Sequence, residues 1–461
     1  FEVMGMARPE YMDKINLLMT AGELSGFVRA FSGEDPIKYK ADGTILPLGD
    51  YLKDNPVWNA LPQYLRELYM IDGEIMALSP GENRRCFTRS IRKDWLDNLG
   101  LDIPTTLEEL YETFKQFTRN DPDGNGKDDT VGLTSRNTWT MQDLFQSHDA
   151  ILDHVGGTTV IFDPNNDQWT DSMLKPGMRD ALIYIRNLYE EGFLDPEFMT
   201  NSGGQMRTAV YSGYAGSIFY WDNFGYGGAT TQVQKHTPEG EFYEIVGIKS
   251  KWVDKQFNNF SVGSAPYVLI KGTPEPEKQA NAFINIFFGD EYGHFSGRWG
   301  VKDMMFTITT KPTGEKQVTR LVKEYVEGAR KWYPNPAIID AMPGFTTSEY
   351  ALGYQADDQE TAARRLRLNR LQAETHERGF ATGVLYRQYE WMKIPKSPLF
   401  ADIHADYQKL FQETVARVVT GQIGIDEGIA EYRKQMKAMG GQKLLDESNE
   451  ILDKKSTLPG Y

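Results

Sequence analysis

Residues 101–130 constrain this 461-residue chain more than any other stretch. Pro104 ends what precedes it, Thr106 is placed to cap a helix, and Glu109 three positions on completes a capping box. Leu107, Leu110, Tyr111, Phe114 and Phe117 follow at helical spacing and make one apolar stripe. A helix striped on one side must bury that side against another layer. Directly after it comes Asp121-Pro-Asp-Gly-Asn-Gly-Lys-Asp-Asp129-Thr130. Asp121, Asp123 and Asn125 put oxygen side chains at every second position, the spacing of the first half of an EF-hand loop. Gly126 allows the sharp turn, Lys127 offers its backbone carbonyl, and Asp129 falls at the ninth position. The twelfth position, where an EF-hand has a bidentate Glu, is Gly132. The nearest replacement, Thr130, is a weaker oxygen ligand. The expectation is one structural Ca2+ held by Asp121, Asp123, Asn125, Lys127, Asp129 and Thr130, in a site shorter than an EF-hand. The competing reading is a solvated turn. Against it stands the repulsion of four carboxylates within nine residues.

Elsewhere, strand and helix alternate without internal repeats, the pattern of an α/β chain. A helix is predicted over Lys175–Glu191, buried through Met178, Leu182, Ile185 and Tyr189 and stopped by Gly192. Thr44–Leu48 is expected as a short strand or turn, Gly73–Leu78, Ser217–Tyr220 and Tyr267–Ile270 as short strands, and helices near Trp58–Leu68, from Pro276, and over Ala405–Thr420. Asp426 is placed to cap the next helix, which runs to Met439 and stops at Gly440-Gly441. The length suits two or three domains. The opening Phe-Glu-Val-Met reads as a strand met in mid-course, so an upstream segment is expected.

Composition narrows the function. A net charge of −15 argues against nucleic acid as a partner. A single cysteine, Cys86, excludes an internal disulfide framework. No apolar run reaches the length of a membrane span. Aromatic residues make up 12% of the chain, enough to line a cleft with flat rings as well as fill a core. His-Glu-x-x-His, a nucleophile elbow, a phosphate loop and a dinucleotide fingerprint are all missing. His148 and His154 have poor ligand spacing, and surface or satisfied core positions are expected for both. With 65 acidic residues, a glycosidase carboxylate pair remains the enzymatic alternative. An adhesion or sensor protein is the other.

Several runs resemble the family 1 extracellular solute-binding proteins. They are Ile91-Arg-Lys-Asp-Trp-Leu-Asp-Asn-Leu-Gly-Leu, then Pro104-Thr-Thr-Leu-Glu-Glu-Leu, then the acidic loop. Asp13-Lys-Ile-Asn-Leu-Leu-Met-Thr-Ala-Gly-Glu-Leu, Ser212-Gly-Tyr-Ala-Gly-Ser before Trp221-Asp-Asn, Val419-Thr-Gly-Gln and Met439-Gly-Gly-Gln agree with it. Two departures stand out: Thr130, where many relatives have Glu, and Leu24-Ser-Gly-Phe, where many read Leu-Pro-Asp-Val. The resemblance implies a two-lobed periplasmic-binding-protein-like α/β fold (type II) with a hinge and an interlobe cleft. It places residues 1–88 and 263–345 in an N-terminal lobe, and 89–262 and 346–461 in a C-terminal lobe. The chain then crosses near Phe87–Ser90, near Ser261–Pro266 and within Met342–Gln355. The family's signal peptide, lipid-bearing Cys and first strand and helix have no counterpart here. A lipid anchor at the extracellular face of the cytoplasmic membrane is thus expected from a segment absent from this chain.

The resemblance also implies a function, that of a non-catalytic, monomeric substrate-binding protein capturing an oligosaccharide for the permease subunits of an ABC importer. Trp221 is the expected stacking platform, with Asp222 and Asn223 as hydroxyl partners. Trp139 is the second ring. Asn83, Arg84 and Arg85 precede the hinge, Arg298 and Trp299 are weaker candidates, and Arg29, Phe31 and Ser32 are candidates for the first-lobe rim. Trp95 is expected to be structural. The run Arg84, Arg85, Arg89, Arg92, Lys93 raises a uronic-acid oligosaccharide as an alternative ligand. A neutral oligosaccharide is placed ahead of it.

Overall fold

The chain folds as two units, one of Phe1–Arg84, Ser261–Leu366 and Leu458–Tyr461, the other of Arg85–Phe260 and Arg367–Thr457. The computed structural model describes residues 8–30, 35–61, 66, 67, 69–78, 85–152, 159–163, 166, 168–221, 224–253, 258–261, 266–288, 303, 306–310, 312, 316–320, 371, 374, 385–387 and 397–451. The expected opening strand and the crossing within Met342–Gln355 lie outside them. Among the described residues no helix is long and apolar enough to cross a membrane.

In the first unit, strand Phe27–Arg29 pairs antiparallel with Tyr267–Leu269, Phe27 opposite Leu269. Leu48, Leu52, Trp58, Leu269, Phe283 and Ile284 make its core, where the Phe27 and Phe283 rings stack at 4.3 Å. Thr44–Leu48 supplies only a bridge, Ile45 to Ile270. Near Trp58–Leu68, where a helix was expected, the described residues include helix Pro56–Ala60, capped by Asn55, whose side chain accepts from Val57 N and Trp58 N, and Arg66 is again helical. Helix Pro276–Phe288 begins at its proline as expected.

The second unit is built on strand Arg85–Arg92. Ser217–Trp221 and Phe242–Ile245 both pair with it antiparallel, and Asn258–Ser261 and Leu385–Arg387 extend the same sheet. The capping box at Thr106 is present, and helix Leu107–Arg119 buries Leu107, Leu110, Phe114 and Phe117. That helix and Trp95 pack so tightly on the chain entering Ser217–Trp221 that a Cβ on Gly216 would meet Phe117 at 2.3 Å and Trp95 at 2.7 Å.

Charge goes deep into this unit. Arg89 and Asp143 are both buried and form a bidentate pair, Nε to Oδ2 at 2.5 Å and Nη2 to Oδ1 at 2.7 Å. Arg92 pairs in the same way with Asp94 and lies over the Trp95 ring. Buried Asp171 accepts from Tyr407 and Tyr432, joining hairpin 160–171 to helices Pro398–Val419 and Ile425–Ala438. Burial pushes its carboxyl above the usual range. Asp426 does not cap the second of these helices. Gly424 is the N-cap residue, without a side-chain bond, and Asp426 instead takes the Arg179 guanidinium at 2.7 Å. The helix ends at its C-cap Met439, before Gly440 with φ 95°, as expected, and a further helix, Gly441–Ile451, follows.

Asp143→Ala strands the buried Arg89 charge and is expected to cost ~3–5 kcal/mol in urea unfolding. A loss under ~1 kcal/mol would show the pair to be dispensable. The Glu109 carboxylate is held below its ordinary value chiefly by the Thr105 amide. Its contribution is therefore complete above the unfolded glutamate value and fades as pH falls through the lowered folded one. Glu109→Gln should flatten that acid limb in melts taken across the range.

Candidate ligand-binding site and metal loop

Strand register assembles an aromatic ledge in the second unit. Phe87 lies opposite Trp221, and the two rings stack with centroids 4.1 Å apart. Phe87 also meets Trp139 edge-on at 5.6 Å, and Trp139 meets Tyr220 edge-on at 5.5 Å. Phe87 is buried, whereas Trp139, Tyr220 and Trp221 are each partly exposed. The two expected tryptophans thus share one support. Phe87 and Tyr220 were not foreseen, since nothing in local spacing marks them and only the pairing of distant strands does.

The turn that carries Trp139 is held from several sides. Asn137 has φ 49° and accepts from Trp139 N at 2.8 Å. Buried Asp195 accepts from Thr134 and Asn201, and Asn201 also donates to the Ser135 carbonyl. Beyond Trp221, buried Glu244 accepts from Gly225 N at 2.9 Å and from the Thr88 and Ser90 hydroxyls. The Arg136 guanidinium lies 5.0 Å from the Trp139 ring centre. Arg207 donates to the Tyr220 hydroxyl at 3.4 Å.

Arg29 ends strand Phe27–Arg29 in the first unit, and its carbonyl accepts from Tyr11 at 2.9 Å. Arg85 is the first residue of the central strand. Phe31, Ser32, Asn83, Arg84, Asp222, Asn223, Arg298 and Trp299, and also His154, lie outside the described residues. Trp95 is fully buried, and His148 is buried with Nδ1 2.7 Å from the Leu144 carbonyl. Within the basic run, the three residues whose side chains are described are engaged in internal pairs. Arg89 and Arg92 are buried and paired, and Lys93 pairs with Asp97.

In the acidic loop, Asp121 accepts from Asn125 N at 3.0 Å and Gly126 N at 2.9 Å. The Asn125 amide nitrogen donates to Asp123 at 2.9 Å and to Asp129 at 3.1 Å. The Gly126 amide holds the Asp121 carboxyl below the usual range, while partial burial, then Asp121 beside it, raise that of Asp123. Among the described residues no three His, Cys, Asp or Glu side chains converge as a metal cluster. The donors gathered at Asn125 are nonetheless all hard oxygens, the kind Ca2+ prefers. Thr130 departs from the expected ligand set. It is buried and its hydroxyl donates to the Phe117 carbonyl at 2.7 Å, fastening the loop to the helix before it.

The chain thus has two units, each of helix and sheet, with an aromatic ledge built on the sheet of the second. The family model for bacterial extracellular solute-binding proteins matches residues 10–294, and the chain belongs to that family. Two proteins of Bacillus subtilis (strain 168) are similar over part of it. The polygalacturonan/rhamnogalacturonan-binding protein YtcQ is 31% identical over 209 residues, 44% of this chain and 40% of its own length. The lipoprotein LipO is 32% identical over 211 residues, 45% and 41%. The matched region thus spans about two-fifths of these relatives. Among solved structures, a milk-oligosaccharide ("HMO") binding solute-binding protein of Bifidobacterium longum infantis superposes with a TM-score of 0.72, at 17% identity, covering 98% of this chain and 91% of that one. An EF-hand mutant of the Streptococcus pneumoniae substrate-binding protein FusA, with fructo-nystose, gives 0.66 at 17% identity, covering 97% and 91%. The chain has the two-lobed α/β fold of these proteins.

Phe87→Ala removes the shared support of both tryptophans. It is expected to cost ~3–5 kcal/mol and to shift tryptophan emission to the red. Unchanged emission would mean that the ledge does not rest on Phe87.

Proposed function

We propose that this protein is the substrate-binding component of a bacterial ABC importer, capturing an oligosaccharide on the ledge of Trp139, Tyr220 and Trp221. The observation that carries the reading is two partly exposed tryptophans braced on one buried phenylalanine, with Tyr220 edge-on to Trp139. A pyranose or furanose ring offers C–H faces to such rings and hydroxyls to planar polar groups. Asp222 and Asn223, next in sequence to Trp221, are the proposed hydroxyl partners. Asn83, Arg84, Arg85, Arg298, Trp299, Arg29, Phe31 and Ser32 are kept as weaker contacts. Capture needs no covalent step, and the names of FusA and the milk-oligosaccharide protein support a carbohydrate ligand. Closure of the lobes on the sugar, a monomeric state, docking on permease subunits and a lipid anchor outside the cell complete the reading. LipO's name supports the last of these.

Calcium belongs to the same proposal. Asp121, Asp123, Asn125, Asp129 and the Lys127 carbonyl are the proposed ligands. A bound ion would relieve their mutual repulsion and stiffen the path into strand Ser217–Trp221, since Val131 N donates to the Tyr214 carbonyl and Gly216 N to that of Val131. That FusA has an EF-hand to mutate supports a calcium-type loop in this fold.

Thermal melts with a panel of oligosaccharides should show ligand-induced stabilisation, with no product by chromatography. Any turnover would refute capture. Trp221→Ala should lose most of the affinity, about tenfold or more. Calcium should raise the melting temperature of the wild type and leave Asp123→Asn/Asp129→Asn unmoved. An equal response in both would place the ion elsewhere.

A further inference from the structure

Among the described residues, nearly every well-buried cation of the second unit has a carboxylate. Arg89, Arg92 and Lys175 are matched with Asp143, Asp94 and Asp163, and on the surface Arg179 and Arg186 are matched with Asp426 and Glu190. With 65 acidic against 50 basic residues, counter-charges are plentiful. Arg136 and Arg207 depart from this pattern. Both are partly exposed, and among the described residues neither is ion-paired. Arg136 lies against the face of Trp139, and Arg207 against the hydroxyl of Tyr220.

The two guanidinium groups also close on one point. A Cβ on Gly203 would meet Arg136 Nη1 at 3.0 Å and Arg207 Nη1 at 3.5 Å. Only hydrogen stands there, so the glycine leaves room for both. Bringing two like charges together without a counter-ion is unfavourable, and here they are held beside the rings that form the ledge. Such an arrangement is complementary to a carboxylate approaching over the aromatic surface, because guanidinium groups bind carboxylates through paired N–H donors.

We propose that Arg136 and Arg207 form a carboxylate subsite at the edge of the Trp139–Tyr220–Trp221 ledge, so that the oligosaccharide captured is an acidic one, bearing uronic-acid units. The subsite rests on the reading of the ledge as the sugar platform. It takes the place of Arg89 and Arg92 as the source of selectivity for acid, since both are consumed by internal pairs. In this arrangement the rings supply affinity common to many sugars, and the two arginines choose among them by charge.

The test compares trigalacturonate with its fully methyl-esterified form, and with a neutral fructooligosaccharide, by calorimetry on the full chain at low and high salt. The expected result is acid bound about tenfold or more tighter than ester, with a preference that shrinks as salt rises. In Arg136→Gln/Arg207→Gln the ratio of acid to ester affinity should fall toward one. Equal affinity of the wild type for acid and ester overturns the subsite while leaving sugar capture intact. So does a preference for acid that survives in the double variant. If none of the three probes binds and Trp221→Ala changes nothing, the capture reading itself fails and this inference fails with it. The comparison within the wild type does not depend on any variant folding.

Discussion

The Arg89–Asp143 pair ties together the parts of the second unit on which the proposed sugar site is built. Arg89 stands two residues beyond Phe87 on the central strand, and residues two apart in a strand share a face. Asp143 stands four residues beyond Trp139, at the start of the next helical turn. The same strand face therefore meets the same segment twice, ring against ring at Phe87–Trp139 and charge against charge at Arg89–Asp143. A buried charge is tolerable only with its partner in place. The pair thus sets the register in which the aromatic ledge is assembled, and Ser217, which accepts from Arg89 Nη1 at 3.2 Å, brings in the strand that carries Trp221.

Around that centre, polar and apolar contacts divide the work. Glu244 fixes the chain just past Trp221 through the Gly225 amide, and Asp195 fixes the turn before Trp139 through Thr134 and Asn201. The rings themselves are left partly open. A binding surface built this way is rigid where it is buried and available where it is exposed, which limits the ordering cost of capturing a ligand. The acidic loop sits upstream of the same strand, joined to the helix by Thr130 and to the chain before Ser217 by Val131.

Local sequence carried the helix 107–119 almost whole, because its cap, its stripe and its ends all lie within one short window. It also carried Trp139 and Trp221 as candidate rings. It misjudged Asp426, where a partner across space, Arg179, outcompeted the backbone amides that a cap would serve. It misjudged Arg89 and Arg92 for a related reason. Charges at Arg89 and Arg92 read as surface features in sequence, yet a central strand buried on both faces takes them inside and supplies Asp143 and Asp94.

What the sequence determined by itself is local and periodic: the α/β alternation, the capped helix, the hard-oxygen loop and the supply of aromatic rings. These depend on residues within a turn or two of each other. What only the tertiary structure decided is which distant residues meet. Phe87 beneath Trp139 and Trp221, and Arg136 beside Arg207, arise from strand register and from a helix laid against a turn. Neither follows from spacing along the chain, because the contacts that create them join segments far apart in sequence.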